Sequence, residues 1–300
     1  MSEDLRDKLY LSQDDVLRLG FMRAPGIYHY RSHYRRGLRS HLIEILDPRD
    51  IENETKGFVI NGLRRYPTAE PLKILRIFRT RFDTLKEAEE EIKRVKIIET
   101  YLAPEHMAMS EEFLVTYIKD GKYHIILCGL QDYVKGEILD PWSPLNMDHL
   151  VSLLSDMGFK KDKGSDPDTD TWSHSVREKA ENFIGKAKQM IEQAHHVPDL
   201  AGVGNLLLTR SGQIKLVDIN NVSRVSFDST IKVDDRGYPV CDKSIEVLSL
   251  LERKLLARPV SKMDPIYQTF LDPGRMKEVQ EREEAFNLAM QAPLSYSGAS

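Results

Sequence analysis

HHVPDLAGVGNLLLTRSGQIKLVDINN, residues 195–221, carries the most informative pattern in this 300-residue chain. Two short apolar runs, Leu206 to Thr209 and Gln213 to Val217, flank Ser211-Gly212 and predict a hairpin. Asn205 and Asp218 stand at its two outer ends, so closing the hairpin brings them together, and Asp199 stands on the loop that leads in. Carboxylate and amide oxygens are the ligands that hard divalent cations such as Mg²⁺ take. The stretch therefore predicts a small oxygen-lined clamp, with Asp199 facing the same place.

Working outward, SVREKAENFIGKAKQMIEQAHH upstream is a helix pattern with a capping box at Ser175 and Glu178. Val176, Ala180, Phe183, Ile184, Ala187, Met190, Ile191 and Ala194 fall on one face of it, which predicts a core-facing helix. His195 and His196 are adjacent, so a regular helix cannot aim both at one ligand, and they read as a C-terminal cap. SDPDTDTW places Asp166, Asp168 and Asp170 at alternate positions, but it lacks the central glycine of a Ca²⁺ loop and has Arg177 at the twelfth position, so it reads as a solvated loop. DKSIEVLSLLERKLL predicts a further helix, and residues 291–300 read as a flexible tail.

The first half has a different texture. LIEIL and GFVINGLRR predict two strands, and Leu72 to Phe82 a third. DTLKEAEEEIKRVKIIETYLAP predicts a helix capped by Thr84 and Glu87, with Ala88, Ile92, Val95, Ile98 and Leu102 as its apolar stripe and Pro104 beyond its end. FLVTYIKDGKYHIILCGLQDYV is a hairpin turning at Asp120-Gly121. The Gly and Pro content of YVKGEILDPWSP marks the boundary between the halves. The expected division is an extension over 1–40, a sheet-based lobe over 41–134, a mainly helical lobe over 135–290 and the tail.

Composition excludes several classes. The 43 Lys and Arg against 47 Asp and Glu leave a net charge of −4, so no global field draws the chain to nucleic acid or a membrane surface. No run approaches the roughly 18 apolar residues of a membrane span and no signal-peptide core is present, so a cytoplasmic chain without a membrane partner is expected. Cys128 and Cys241 form no CxxC and read as buried small apolar residues. One local feature stands apart: residues 28–41, YHYRSHYRRGLRSH, hold Arg31, Arg35, Arg36 and Arg39 with three tyrosines and no acid, a pattern suited to an acidic or RNA partner or to a solvated face packed on the first lobe.

A sheet with a helix after its third strand, a hinge, a long helix, and then Asp, Asn and Asp around a hairpin resembles, in that order, the protein-kinase-like superfamily over residues 40–255. In that family an HRDxxxxN loop is followed by a hairpin and DFG. The resemblance implies an α+β, two-lobed fold with a small antiparallel-sheet N-lobe carrying one helix and a mainly helical C-lobe, binding ATP with Mg²⁺ between the lobes. It implies Asp199 as the catalytic Asp, and Asn205 and Asp218 as metal ligands. LQDYVKGEIL resembles the family hinge, which implies Gln131 as gatekeeper and Asp132, Tyr133 and Val134 beside an adenine edge. EIKRVKIIETYL resembles the αC helix, which implies Glu91 as the partner of the strand-three cation. ILRIFR aligned on AIKVFK puts Arg76 at that cation position, with Lys73 and Arg79 as rivals.

The chain departs from the family pattern in three places. Arg76 replaces Lys, and a guanidinium is geometrically stricter than an ammonium. LDPRDIENETKGFVINGLRR offers acidic and polar residues where a GxGxxG loop would cradle phosphates. Val197 and Pro198 replace the His and Arg of HRD, and Asn205 lies six positions after Asp199. The expectation is an ATP- and Mg²⁺-dependent phosphotransferase acting on a hydroxyl of a protein or small molecule, with a pseudokinase serving as nucleotide-binding or scaffold module, or a nucleotidyl transferase, as alternatives.

Overall fold

The computed structural model describes residues 4–19, 27–35, 37, 39–158, 169–261 and 263–291. It is mixed α+β, with eight helices and small antiparallel sheets among those residues. Arg36, Asp166, Asp168 and the expected tail from 292 lie outside them. The chain divides into two compact units, one of 1–96 with 108–134 and one of 97–107 with 135–300.

The first unit is built on a five-stranded antiparallel sheet. Its strands are β1 (His29–Ser32), β2 (Ser40–Leu46), β5 (Lys73–Phe78), β6 (Ser110–Lys119) and β7 (Lys122–Asp132), in the order β1-β2-β5-β7-β6. The β6–β7 hairpin turns at Asp120 and Gly121, whose φ values of 48° and 75° are the left-handed pair that a two-residue hairpin turn demands. The described residues within 1–40, a region expected as an extension, supply β1 and part of the apolar cluster on the sheet. Leu5, Leu11, Val16 and Leu19, the last three in or beside helix α1 (Gln13–Leu17), pack with Tyr30, Ile43, Ile45, Leu75, Ile77, Ile126 and Cys128 on one face of the sheet.

Between β2 and β5 the sequence LDPRDIENETKGFVINGLRR does not form the single strand expected of GFVINGLRR. Asp47 caps helix α2 (Pro48–Lys56), accepting from the Arg49 N–H at 2.8 Å, with Pro48 pre-set at the first helical position. Then, among the described residues, β3 (Phe58–Ile60) and β4 (Leu63–Arg65) pair only with each other around Asn61-Gly62, both left-handed in φ. Helix α3 (Leu85–Leu102) follows β5, with the Thr84 hydroxyl accepting from the Glu87 N–H at 3.3 Å.

The second unit takes the end of α3 and, from 135 on, continues with β8 (Glu137–Ile138), helix α4 (Met147–Asp156) and helix α5 (Thr169–Ala194). α5 starts six residues before the expected cap, which leaves Ser175 inside the helix. The expected apolar face is buried from Val176 to Ile191. His195 ends the helix with a φ of 55°, the left-handed residue that commonly closes one. The remaining strands are β9 (His196–Pro198), β10 (Leu206–Leu208), β11 (Ile214–Leu216) and β12 (Val222–Arg224), followed by α6 (Val240–Leu255), α7 (Pro265–Phe270) and α8 (Pro273–Gln291). The expected hairpin is β10–β11, and β8 adds a third strand along β10. Both cysteines are free and buried, and burial pushes each thiol up to about 12. No helix among the described residues is long and apolar enough to cross a membrane.

Candidate functional site

Two ladders in the second unit bring the predicted oxygen ligands together. At the base of the β10–β11 hairpin the Val217 N–H donates to the Asn205 carbonyl at 2.9 Å, so Asp218 leaves the hairpin beside Asn205. The chain then runs from Asp218 to Asn221 and enters β12, which pairs antiparallel with β9 from Val222 against Pro198. The Asp199 N–H extends that ladder by donating to the Asn221 carbonyl at 2.8 Å. Asp199 and Asp218 are thereby held at the two ends of one four-residue link.

The Asp199 carboxylate is firmly oriented. Its Oδ1 accepts from the N–H groups of Ala201 and Gly202 at 3.0 and 3.2 Å, and its Oδ2 accepts from Asn221 Nδ2 at 3.2 Å. Burial, and after it the nearby Asp218 carboxylate, pushes the Asp199 carboxyl above its usual range, while the three donors pull the other way. Asn205 is buried, and its Nδ2 donates to the Asp199 carbonyl at 2.9 Å. With the amide nitrogen so engaged, the group that Asn205 offers a cation is its Oδ1. Gly202 makes this arrangement sterically feasible, since a Cβ there would lie 2.5 Å from Asn205 Nδ2.

The loop rests on a rigid support. The Leu200 N–H donates to Ser244 Oγ on α6 at 3.1 Å, and the Ala201 carbonyl accepts from Trp142 Nε1 at 2.9 Å. The Lys243 ammonium lies 4.3 Å from the Trp142 ring centroid. Asn221 and Ser244 escaped sequence reasoning. Asn221 lies within the quoted stretch, where its position opposite Asp199 appears only once β9 and β12 pair, and Ser244 is distant in the chain.

Among the described residues no group of three His, Cys, Asp or Glu side chains is placed to hold a metal. The cluster here is two carboxylates and one amide, a set that fits Mg²⁺, which keeps several waters and phosphate oxygens in its shell.

In the first unit the predicted phosphate-side residues have other company. Arg76 is 1% exposed, and its Nη2 donates to Glu112 Oε1 at 2.9 Å and to Ser110 Oγ at 3.0 Å. Both Arg76 on β5 and Glu112 on β6 stand opposite Gly129 on β7, and they meet over it. Lys73 pairs with Asp132, its neighbour across the ladder. Glu91 on α3 accepts from Arg94 at 2.8 Å. Gln131 is buried in β7, the Asp132 N–H donates to the Met109 carbonyl at 2.8 Å, and Tyr133 and Val134 follow the strand, Tyr133 exposed and Val134 half-buried. Within the basic stretch, Arg31 on β1 bonds both Glu44 and Glu54 at 2.8 Å.

The chain matches no protein-family model, and no curated protein aligns with it at significant similarity.

Proposed function

We propose that Asn205 and Asp218 hold a Mg²⁺ ion with the phosphates of ATP, and that Asp199 orients a hydroxyl acceptor for phosphoryl transfer on a two-lobed, protein-kinase-like fold. The observation that carries this reading is the convergence of two carboxylates and one amide on a single four-residue link in the second unit, with the Asp199 carboxyl pushed up by its own burial and by Asp218. Two carboxylates crowded into a half-buried place repel each other, and a divalent cation relieves that repulsion. Phosphoryl transfer needs little else from a protein than positioning and charge neutralisation. The kinase-like reading draws further support from the strand order β1-β2-β5-β7-β6 with α3 after β5, and from a long helix, a loop and a hairpin succeeding one another in the second unit.

One observation favours the pseudokinase alternative. Arg76 is engaged by the buried Glu112 carboxylate, so an ATP phosphate would have to compete with a charge partner that is already dry. Thermal unfolding with and without ATP and Mg²⁺, on the parent and on Asp218→Ala, separates the readings. Ligand at a hundred times its dissociation constant stabilises by about 2.7 kcal/mol. A Mg²⁺-dependent shift that Asp218→Ala abolishes is expected for the enzyme. A metal-independent shift identifies a nucleotide-binding pseudokinase, and no shift removes the enzyme. Mass spectrometry of the product tells phosphoryl from nucleotidyl transfer.

A further inference from the structure

We infer that the first unit pairs with a second copy of this chain along the outer edge of β6, antiparallel and about a two-fold axis at Val115. Among the described residues no strand lies against that edge, since β6 ends the order β1-β2-β5-β7-β6. The pairing needs neither the proposed metal nor the nucleotide.

The two ends of the sheet are built differently. β1 is four residues long and carries Arg31 with its two glutamates, the short and charged form that discourages a further strand. β6 has ten residues, no proline and an unbroken register with β7, hence no bulge, and its centre from Phe113 to Ile118 is uncharged. Phe113, Leu114 and Tyr117 are only half-buried there, and Ile118 is 61% exposed. A long apolar edge of this kind is a template for another strand.

The ladder fixes which backbone groups face outward. Lys119 and Lys122 close a two-residue turn and so form a hydrogen-bonded pair, and at the far end the Met109 carbonyl accepts from the Asp132 N–H at 2.8 Å. The odd-numbered residues of β6 therefore bond to β7, which leaves the N–H and C=O groups of Glu112, Leu114, Thr116 and Ile118 directed away from it. A second, antiparallel β6 must bond even-numbered residues to even-numbered ones.

Charge then selects the register and the occupant. With the axis at Val115, Leu114 bonds Thr116 of the second copy, Phe113 stands opposite Tyr117, and Glu111 stands opposite Lys119. These odd-numbered pairs are the non-hydrogen-bonded ones, whose side chains approach most closely, with Cβ atoms about 4.5–5.5 Å apart. Glu111 is exposed, and Lys119 lies 4.0 Å from Asp4, which Arg6 already holds at 2.7 Å. Sliding the second copy by two residues in either direction sets Glu111 opposite Tyr117 or Phe113 opposite Lys119, and the charge match is lost. Glu112 takes part through its backbone alone and keeps its bond to Arg76. The strand is thus complementary to itself, as an isologous two-fold contact requires.

Sedimentation velocity of the full chain over a concentration series, without ATP or Mg²⁺, tests the inference. A reversible monomer–dimer equilibrium is expected, unchanged in Asp218→Ala, so that this pairing and the proposed metal site stand or fall separately. Thr116→Pro removes an outward N–H and leaves every bond to β7 in place, and it should weaken the dimer about tenfold or more. Glu111→Lys and Lys119→Glu should each weaken self-association, and an equimolar mixture of the two should regain it, because each lysine of one chain then meets a glutamate of the other. That mixture keeps the test valid if Thr116→Pro folds poorly. A parent that is monomeric at every concentration overturns the assignment and leaves the edge to an extended segment of another protein. A dimer indifferent to a folded Thr116→Pro, or a mixture no more associated than its components, overturns it as well.

Discussion

Arg76 and Glu112 form a buried ion pair across a strand that separates them, at 2.9 Å and with side chains 1% and 0% exposed, because the residue between them is Gly129. A Cβ at that position would lie 3.0 Å from Arg76 Nη2 and 3.3 Å from Glu112 Oε1. The absence of one methyl group is what lets two charged side chains share the face of β7.

Gly129→Ala should therefore destabilise the chain by about 1–3 kcal/mol, the usual figure for forcing extra volume into a packed place. Arg76→Met should cost more, about 3–5 kcal/mol, since it strands the Glu112 carboxylate. Arg76→Met combined with Glu112→Leu should recover most of that loss. Urea unfolding of the parent, Arg76→Met, Glu112→Leu and the double variant checks the cycle, and a double variant as unstable as Arg76→Met would show that the lost stability does not come from stranding Glu112.

Gly202 plays a comparable part at the candidate site. Its replacement by Ala puts a Cβ 2.5 Å from Asn205 Nδ2 and must turn that amide away from the Asp199 carbonyl. The expected outcome is a folded protein whose Mg²⁺-dependent ATP stabilisation falls by at least about a factor of ten in affinity, or about 1.4 kcal/mol. Circular dichroism and thermal shift on the same sample separate a lost site from a lost fold.

How far these residues could be read in advance depends on how local their signals are. The β10–β11 hairpin, the Asp120-Gly121 turn and the buried face of α5 were legible because turn chemistry and apolar period are local. Asp47-Pro48, an N-cap followed by proline, and Asn61-Gly62, a hairpin turn, were equally local signals, and they mark α2 and the β3–β4 hairpin where one strand was expected. The start of α5 was misplaced because Ser175 with Glu178 imitates a cap inside a helix that tertiary packing extends to Thr169. The partnership of Arg76 with Glu112 was not legible at all, because it depends on the register of two ladders that meet at Gly129.

His41 gives stability a pH dependence of known sign. Burial, and then the Arg79 charge, lowers its pKa from 6.5 to about 4. The folded chain thus binds fewer protons than the unfolded chain between those values, so stability rises with pH across the window. The contribution is complete above about 6.5, worth up to about 3 kcal/mol, and is lost as pH falls towards 4. Urea midpoints from pH 4 to 7 should show this slope in the parent and a flatter one in His41→Gln.

Asp199 works in the opposite sense. Its folded pKa is raised above 3.8, so the folded chain retains a proton that the unfolded chain has released, and stability declines as pH rises from 3.8 through the folded value. Mg²⁺ at the proposed site favours the ionised form and should reverse that slope. Proton release on Mg²⁺ binding, measured by calorimetry in two buffers of different ionisation enthalpy, should be present in the parent and absent in Asp199→Asn.

The bond from the Leu200 amide to the Ser244 hydroxyl joins two residues that are both 0% exposed. No local fraying of the loop can bring that amide to water without lifting it off the most deeply buried helix of the second unit. Its deuterium uptake should therefore follow the cooperative opening of the whole unit, whatever faster excursions the neighbouring Gly202 and Gly204 amides undergo. The backbone beside Asp199 would then be as long-lived as the core itself, so that a bound ligand would meet it already in place.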